Sequence, residues 1–199
     1  MEQIILASES KRRQDYLKLM GLNFICIAPD IDEKIDEALN KNKSNRAKIE
    51  EIAKRKVQKV LEMSKNENPL WLVGADTVIS LDGKFYGKPS DREDAKKMMQ
   101  AFQNRDHKVI TGVALYNGRK KTINSLSVET TVSYGPMSEK DINWYLDSED
   151  WVGVAGAYRI QGLASCFIKG ISGSYSSIVG LPLREFYVML KDNGYHFDS

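Results

Sequence analysis

The chain has 199 residues, with aliphatic and aromatic side chains along its whole length. That is enough to bury a full core, as one domain or two small lobes, and it excludes a disordered chain. The formal net charge of +2 is too small to argue for nucleic acid or an acidic membrane surface as a partner. No apolar run approaches the roughly 18 residues of a membrane helix, and no leader pattern occurs, so neither a membrane span nor a secretion signal is expected.

Gln3-Ile4-Ile5-Leu6-Ala7 reads as a first strand. Ser8-Glu9-Ser10 ends it, and Lys11-Arg12-Arg13 opens a helix to about Met20, stopped by Gly21. A strand, a hydroxyl-rich turn and a helix N-terminus make an anion site. Cations there oppose the helix dipole, so the three basic residues have a use other than helix stability or form a solvated basic turn. Phe24–Ala28 is a second strand ended by Pro29, and its Cys26, like Cys166, belongs to an apolar segment. The two cysteines have neither metal-ligand spacing nor a disulfide framework. They read as small buried hydrophobes of a protein from a reducing cytoplasm. Asp30-Ile31-Asp32-Glu33 suits a hard divalent cation, or is an ordinary acidic loop. The spacing predicts a helix over Arg46–Lys65, with Ile49, Ile52, Ala53, Val57, Val60 and Leu61 as its apolar stripe. Lys56 falls inside that stripe, where it either snorkels to the edge or points into a polar cleft that contains anions.

Leu70–Pro89 organises the rest of the chain. Leu70-Trp71-Leu72-Val73 is a buried strand, and Gly74-Ala75 then removes bulk just before Asp76-Thr77. A carboxylate at the end of a buried strand calls for a metal, a bound cation or a proton to accept; alternatively Asp76 caps a turn. Asp82-Gly83 makes a hairpin that returns Gly87-Lys88-Pro89 towards the level of Asp76. Ser90 with Glu93 reads as a capping box for a helix buried through Ala95, Met98, Met99 and Phe102. His107–Tyr116 is a strand whose Thr111-Gly112 break admits a ligand or another backbone. The two histidines, His107 and His196, lie too far apart in sequence to build a zinc site. After a turn at Asn117-Gly118, residues 122–134 alternate as a strand, and Ser138 caps a helix to about Leu146. The small-residue stretch Gly153–Gly162 lets backbone approach a ligand and carries the amide of Gln161. Leu163–Ile168 reads as a strand, Gly170–Ser177 as a loop, and a final helix begins near Pro182 and ends at Gly194.

Cations (Arg12, Arg13, Lys56, Lys88), acids (Glu33, Asp76) and small hydrogen-bonding groups (Ser8, Ser10, Thr77, Gln161) together suit phosphate chemistry, which needs positioning and charge stabilisation more than a covalent nucleophile. Neither a P-loop nor a nucleophile elbow is present.

The ordered set Leu6–Arg13, Asp30–Glu33, Ala53-x-x-Lys56, Gly74–Thr77, Gly87–Pro89, His107-x-Val109-x-Thr111-Gly112, Ala155–Gly162 and Val179–Leu183 resembles the Maf family over almost the whole chain. The resemblance implies a single Maf-like domain over residues 1–199. Its fold would be α/β: an elongated mixed β-sheet flanked by helices, with two lobes around a central cleft, like the inosine triphosphate pyrophosphatases. It implies a nucleoside triphosphate pyrophosphatase using a divalent metal, Mg²⁺ or Mn²⁺, and releasing pyrophosphate. By matching position, Asp76 would be the proton acceptor that activates water, and it is a candidate metal ligand together with Glu33. Arg12, Thr77 and Gln161 would select the base, and Ser8, Arg13, Lys56 and Lys88 would hold the triphosphate. The Ile160-Gln161-Gly162 form resembles the branch acting on dTTP and UTP, with modified pyrimidine nucleotides as further candidates. The expected partner is the nucleotide itself, not nucleic acid or membrane, with a homodimer by analogy. A nucleotide-binding regulator of septum formation is the alternative. The chain departs from the family where proline usually stands (Lys11), at Gly153-Val154 where a lysine is usual, and at Arg159 in place of glycine. Arg159 would partly replace the lost lysine or face solvent.

Overall fold

The computed structural model describes residues 1–31, 43–64 and 68–197. In chain order the elements are β1 (Ile4–Leu6), α1 (Lys11–Leu19), β2 (Phe24–Cys26), α2 (Asn45–Met63), β3 (Trp71–Leu81), β4 (Lys84–Tyr86), α3 (Arg92–Phe102), β5 (Asp106–Asn117), β6 (Thr122–Tyr134) and α4 (Glu139–Asp147). Two 3-10 turns, Ala155–Ala157 and Leu163–Phe167, precede β7 (Ile168–Ser172), α5 (Tyr175–Val179) and α6 (Leu183–Asp192). The strands form one mixed sheet in the order β2-β1-β3-β5-β6-β7, with β4 paired to β3. β1 runs parallel to both β2 and β3, while β4 and β7 are antiparallel to their neighbours β3 and β6. The fold is therefore α/β, a mixed sheet with helices.

Contacts divide the chain into two compact units. The first holds Met1–Asp76, Thr111–Val128 and Gly180–Ser199, and the second holds Thr77–Ile110 and Glu129–Val179. The chain passes from one to the other within β3, β5 and β6, and again between Val179 and Gly180. In the first unit, strand alternation sorts side chains onto two apolar faces. Ile4, Leu6, Trp71, Val73, Val113 and Leu115 pack with Leu17 of α1 and Phe186, Met189 and Leu190 of α6. Ile5, Ala7, Leu72 and Ala114 pack with Ala53, Val57 and Val60 of α2. In the second unit Phe102, His107, Tyr134 and Tyr158 form an aromatic cluster, with ring centroids 4.5–6.2 Å apart.

β3 is one continuous eleven-residue strand through Gly74–Thr77, and its hairpin turns with Asp82 at φ 51° and Gly83 at φ 78°. Positive φ at both positions gives the type I′ geometry expected of Asp-Gly. Several local expectations are corrected. Leu163–Phe167 is a 3-10 turn, not a strand, and the strand begins only at Ile168. The Gly/Ser stretch is no loop: it closes β7 and starts α5, because Thr130 Oγ1 accepts from Ser174 N at 3.0 Å and Ser174 Oγ from Ser177 N at 3.3 Å. The α3 cap is Asp91, whose carboxylate accepts from Asp94 N at 2.8 Å, one residue later than predicted. Ser138 and Asp141 do form the capping box of α4. Both cysteines are exposed, not buried. Cys26 lies on β2, an edge strand, and Cys166 on the irregular turn that replaced the predicted strand.

Candidate active site

In the first unit β1 and the parallel β2 end side by side while the parallel β3 runs on past them, so Asp76 lies within a strand and not at the end of one as expected. Leu6 is level with Cys26 on one side and Val73 on the other, and Ala7 N donates to Val73 O at 2.8 Å. Beyond this level come residues 27–31 after β2, Ser8–Arg13 after β1, and Ala75–Asp76 on the continuing β3. The carboxyl ends of parallel strands are where open α/β sheets place their ligands.

Two polar pairs involve these segments. Arg13, in the first turn of α1, is buried and donates to Ser8 Oγ from NH1 at 3.1 Å and to the Gly180 carbonyl from Nε at 3.0 Å. Ser8 Oγ also accepts from Ser10 N at 3.1 Å, so the turn is braced before the helix begins. The basic run is thus divided by helical geometry: Lys11 is exposed, Arg12 half-buried and Arg13 directed inward. The second pair is Lys56 with Asp76. Nζ lies 2.7 Å from Asp76 Oδ1, with the Ala75 carbonyl at 3.4 Å, and the two side chains are only 5% and 9% exposed. Lys56 therefore does not snorkel, and Asp76 caps no turn. A buried carboxylate needs a counter-charge, and the lysine on the inward stripe of α2 supplies it. The α2 stripe is otherwise as predicted, with Ile49, Ile52, Ala53, Val57 and Val60 buried.

Thr77, Lys88 and Gln161 belong to the second unit. Thr77 is half-buried; Lys88 and Gln161 are exposed. Glu33, and with it most of the acidic segment, lies outside the described residues. Within the second unit the segment that carries Gln161 is held at four points. Gly156 N donates to the Gly87 carbonyl, beside Lys88, at 2.8 Å, and Tyr145 Oη donates to the Ala157 carbonyl at 2.8 Å. His107 Nε2 and Tyr158 Oη are 2.7 Å apart. Arg159 NH1 pairs with Asp150 Oδ1 at 2.8 Å and also donates to the Asp150 carbonyl, while its NH2 reaches the Val152 carbonyl at 3.2 Å. Arg159 is thus half-buried and ties the loop to Asp150. Asp150 Oδ2 also accepts from Leu163 N at 3.0 Å. The small residue Gly156, at φ 65°, makes room for protein: a methyl there would lie 2.1 Å from Ile79 Cδ1. Burial lowers the His107 pKa to about 4, with Asp106 opposing weakly, so the ring is neutral above that range.

Sequence reasoning passed over the Gly180 carbonyl, Asp150 and the His107–Tyr158 bond. The first and last join segments far apart in the chain, while Asp150 bonds only nine and thirteen residues on; the sole signal was that Gly180, His107 and Tyr158 stand in the ordered motifs.

A mixed sheet with helices that holds a buried carboxylate–lysine pair between β3 and α2, and a serine–arginine turn after β1, defines the class: an α/β protein with a buried charged site. The comparisons are more particular. The sequence model of Maf, described as Maf-like protein, matches residues 3–193, and the chain belongs to the Maf family. The chain is 39% identical over 195 residues to a dTTP/UTP pyrophosphatase of Symbiobacterium thermophilum, covering 98% of this chain and 96% of that one. It is 40% identical over 196 residues to the dTTP/UTP pyrophosphatase of Pelotomaculum thermopropionicum, covering 98% and 99%. The likeness to a solved nucleoside-triphosphatase, a dITP/XTP pyrophosphatase from Mycobacterium abscessus, is looser: TM-score 0.43 and 12% identity, over 66% of this chain and 74% of that one.

Proposed function

We propose that this chain is a nucleoside triphosphate pyrophosphatase that hydrolyses dTTP and UTP to the nucleoside monophosphate and pyrophosphate. The observation that carries the reading is the buried Asp76–Lys56 pair, on β3 and α2 of the unit that also bears Ser8 and Arg13. Relatives that match this chain along its length and bear the name dTTP/UTP pyrophosphatase support the substrate. Water attacks phosphorus, and Asp76 accepts its proton as the bond between the α- and β-phosphates breaks. Lys56 fixes the carboxylate at 2.7 Å, so the acceptor is oriented before substrate arrives. In this reading Ser8, Arg13, Lys56 and Lys88 meet the triphosphate charge, and Arg12, Thr77 and Gln161 select the base.

The reading includes a divalent cation. Asp76 is a hard oxygen donor of the kind Mg²⁺ or Mn²⁺ takes. Among the described residues no group of three His, Cys, Asp or Glu is placed to hold a metal. A Mg²⁺-type ion takes one or two carboxylates and fills its other positions with water and substrate phosphates. Asp76 would hold it together with Glu33. Such an ion, when bound, neutralises charge on the leaving pyrophosphate. Two exposed thiols suit a reducing compartment, so the reading places the enzyme in the cytoplasm; no helix among the described residues is long and apolar enough to cross a membrane. A homodimer is part of the proposal and is tested by sedimentation.

The test is a panel of dTTP, UTP, CTP, GTP and 7-methyl-GTP with Mg²⁺ or Mn²⁺, assayed separately for pyrophosphate and orthophosphate. Pyrophosphate from dTTP and UTP is expected. Asp76→Asn is expected to abolish turnover while nucleotide binding remains measurable. Orthophosphate as the product, or near-normal turnover in Asp76→Asn, refutes the reading. Binding of nucleotide without turnover in the wild type favours the regulator instead.

A further inference from the structure

Alternate residues of β3 share a face, and Leu72, Gly74 and Asp76 follow one another on the face that meets α2. A methyl placed on Gly74 would lie 2.8 Å from the Ala53 carbonyl oxygen, 3.0 Å from Val57 Cγ2 and 3.2 Å from Lys56 Cβ. On the neighbouring strand β5, a methyl on Gly112 would lie 2.7 Å from the Ile49 carbonyl oxygen and 2.9 Å from Glu50 N. What meets the Thr111-Gly112 break is therefore helix backbone. Backbone cannot swing aside as a side chain does, so α2 lies as deep on the sheet as it does only because both positions lack a Cβ. One strand further, on β6, Ser125 Oγ and Ser127 Oγ donate to the two carboxylate oxygens of Glu50 at 2.8 Å each. Depth is thus set on β3 and β5, and the near end of the helix is tethered on β6. Further along the same helix, Lys56 Nζ meets Asp76, the next residue after Gly74 on the same face.

We propose that Gly74 and Gly112, with the Glu50–Ser125/Ser127 tether, are positioning residues that set the Lys56–Asp76 contact by fixing how deep α2 sits on the sheet. The catalytic consequence rests on the reading of Asp76 as proton acceptor; the geometric one does not. None of Gly74, Gly112 and Gly118 has a positive φ, so alanine at each tests space alone. Gly118 is the control, because its methyl would meet the Pro69 carbonyl oxygen at 2.3 Å and not α2.

The experiment compares Gly74→Ala, Gly112→Ala and Gly118→Ala in the full chain. Lys56 reactivity towards a small amine-acylating reagent is read by mass spectrometry against exposed Lys120, and kcat and KM are measured with dTTP. In the first two variants Lys56 acylation is expected to rise by about tenfold or more. Their kcat should fall on the order of tenfold to a hundredfold with KM little changed, the scale of a sub-ångström to 1 Å misplacement at a reacting group. Gly118→Ala should leave both readouts within about twofold of wild type, since its crowding does not bear on α2. If the first two do not fold, Ser125→Ala/Ser127→Ala releases the tether without crowding and is expected to raise Lys56 acylation in the same direction. Wild-type Lys56 protection in the folded variants, or an equal change in Gly118→Ala, overturns the proposal. Should the wild type release pyrophosphate from no nucleotide, the functional reading fails while the acylation result still decides the positioning one.

Discussion

Replacing Lys56 by Met keeps most of the stem inside the α2 stripe and removes the ammonium. Asp76 then remains as a carboxylate whose side chain is 9% exposed and which has lost a 2.7 Å counter-charge. Removing one partner of a buried ion pair costs about 3–5 kcal/mol, because the surviving charge keeps its desolvation penalty. For a chain of 199 residues, each kcal/mol moves the melting temperature by roughly 2–4 °C, so a fall on the order of 10 °C is expected. Asp76→Asn leaves the ammonium buried and should cost a comparable amount. The double variant Lys56→Met/Asp76→Asn leaves neither charge and should be more stable than the sum of the two losses by about 2 kcal/mol or more. Urea unfolding followed by tryptophan fluorescence reads all four proteins, since Trp71 is fully buried against the same sheet. Wild-type stability in Lys56→Met, or strict additivity in the double variant, would refute the argument that Lys56 is the counter-charge of Asp76.

Two further predictions concern the second unit. His107 is neutral and buried, with a pKa lowered to about 4 against about 6.5 in an unfolded chain. Below pH 6.5 the unfolded chain binds a proton that the folded one refuses, so the stabilising contribution is whole above 6.5 and is lost as the pH falls towards 4. The stability gap between wild type and His107→Asn should therefore shrink by about 3 kcal/mol between pH 7 and pH 4, and a gap independent of pH would count against it. Gln161→Ala should loosen discrimination among nucleotides more than it slows the best substrate, and an equal loss on every nucleotide would remove Gln161 from base choice.

Much of this protein is legible locally. The α2 stripe follows from residues spaced by three and four, the β3–β4 hairpin from Asp82-Gly83, and the α4 capping box from Ser138 and Asp141. These features depend on backbone preferences and on periodic burial, which a few neighbouring residues settle between them. Where the same local signals compete, the sequence misled. Leu163–Ile168 is apolar enough for a strand, yet Asp150 holds Leu163 N and the chain turns there. Cys26 sits in an apolar run, but β2 is an edge strand and leaves it exposed.

By itself, then, the sequence determined the elements, the ordered motifs that mark the family, and the residue types available for phosphate chemistry. It marked Lys56 as anomalous without saying whether it snorkels or turns inward. Only the tertiary structure decided that, by laying α2 across Gly112 and Gly74 until the ammonium reached Asp76. It also decided that Arg13 grips Ser8 and the Gly180 carbonyl, and that Arg159 is committed to Asp150. The third contact is local, since Asp150 is only nine residues from Arg159; the physical reason is common to the other two. Sequence spacing fixes which way a side chain leaves its own helix or strand, but the partner that makes a buried charge tolerable comes from a distant segment, and the packing of the whole sheet selects it.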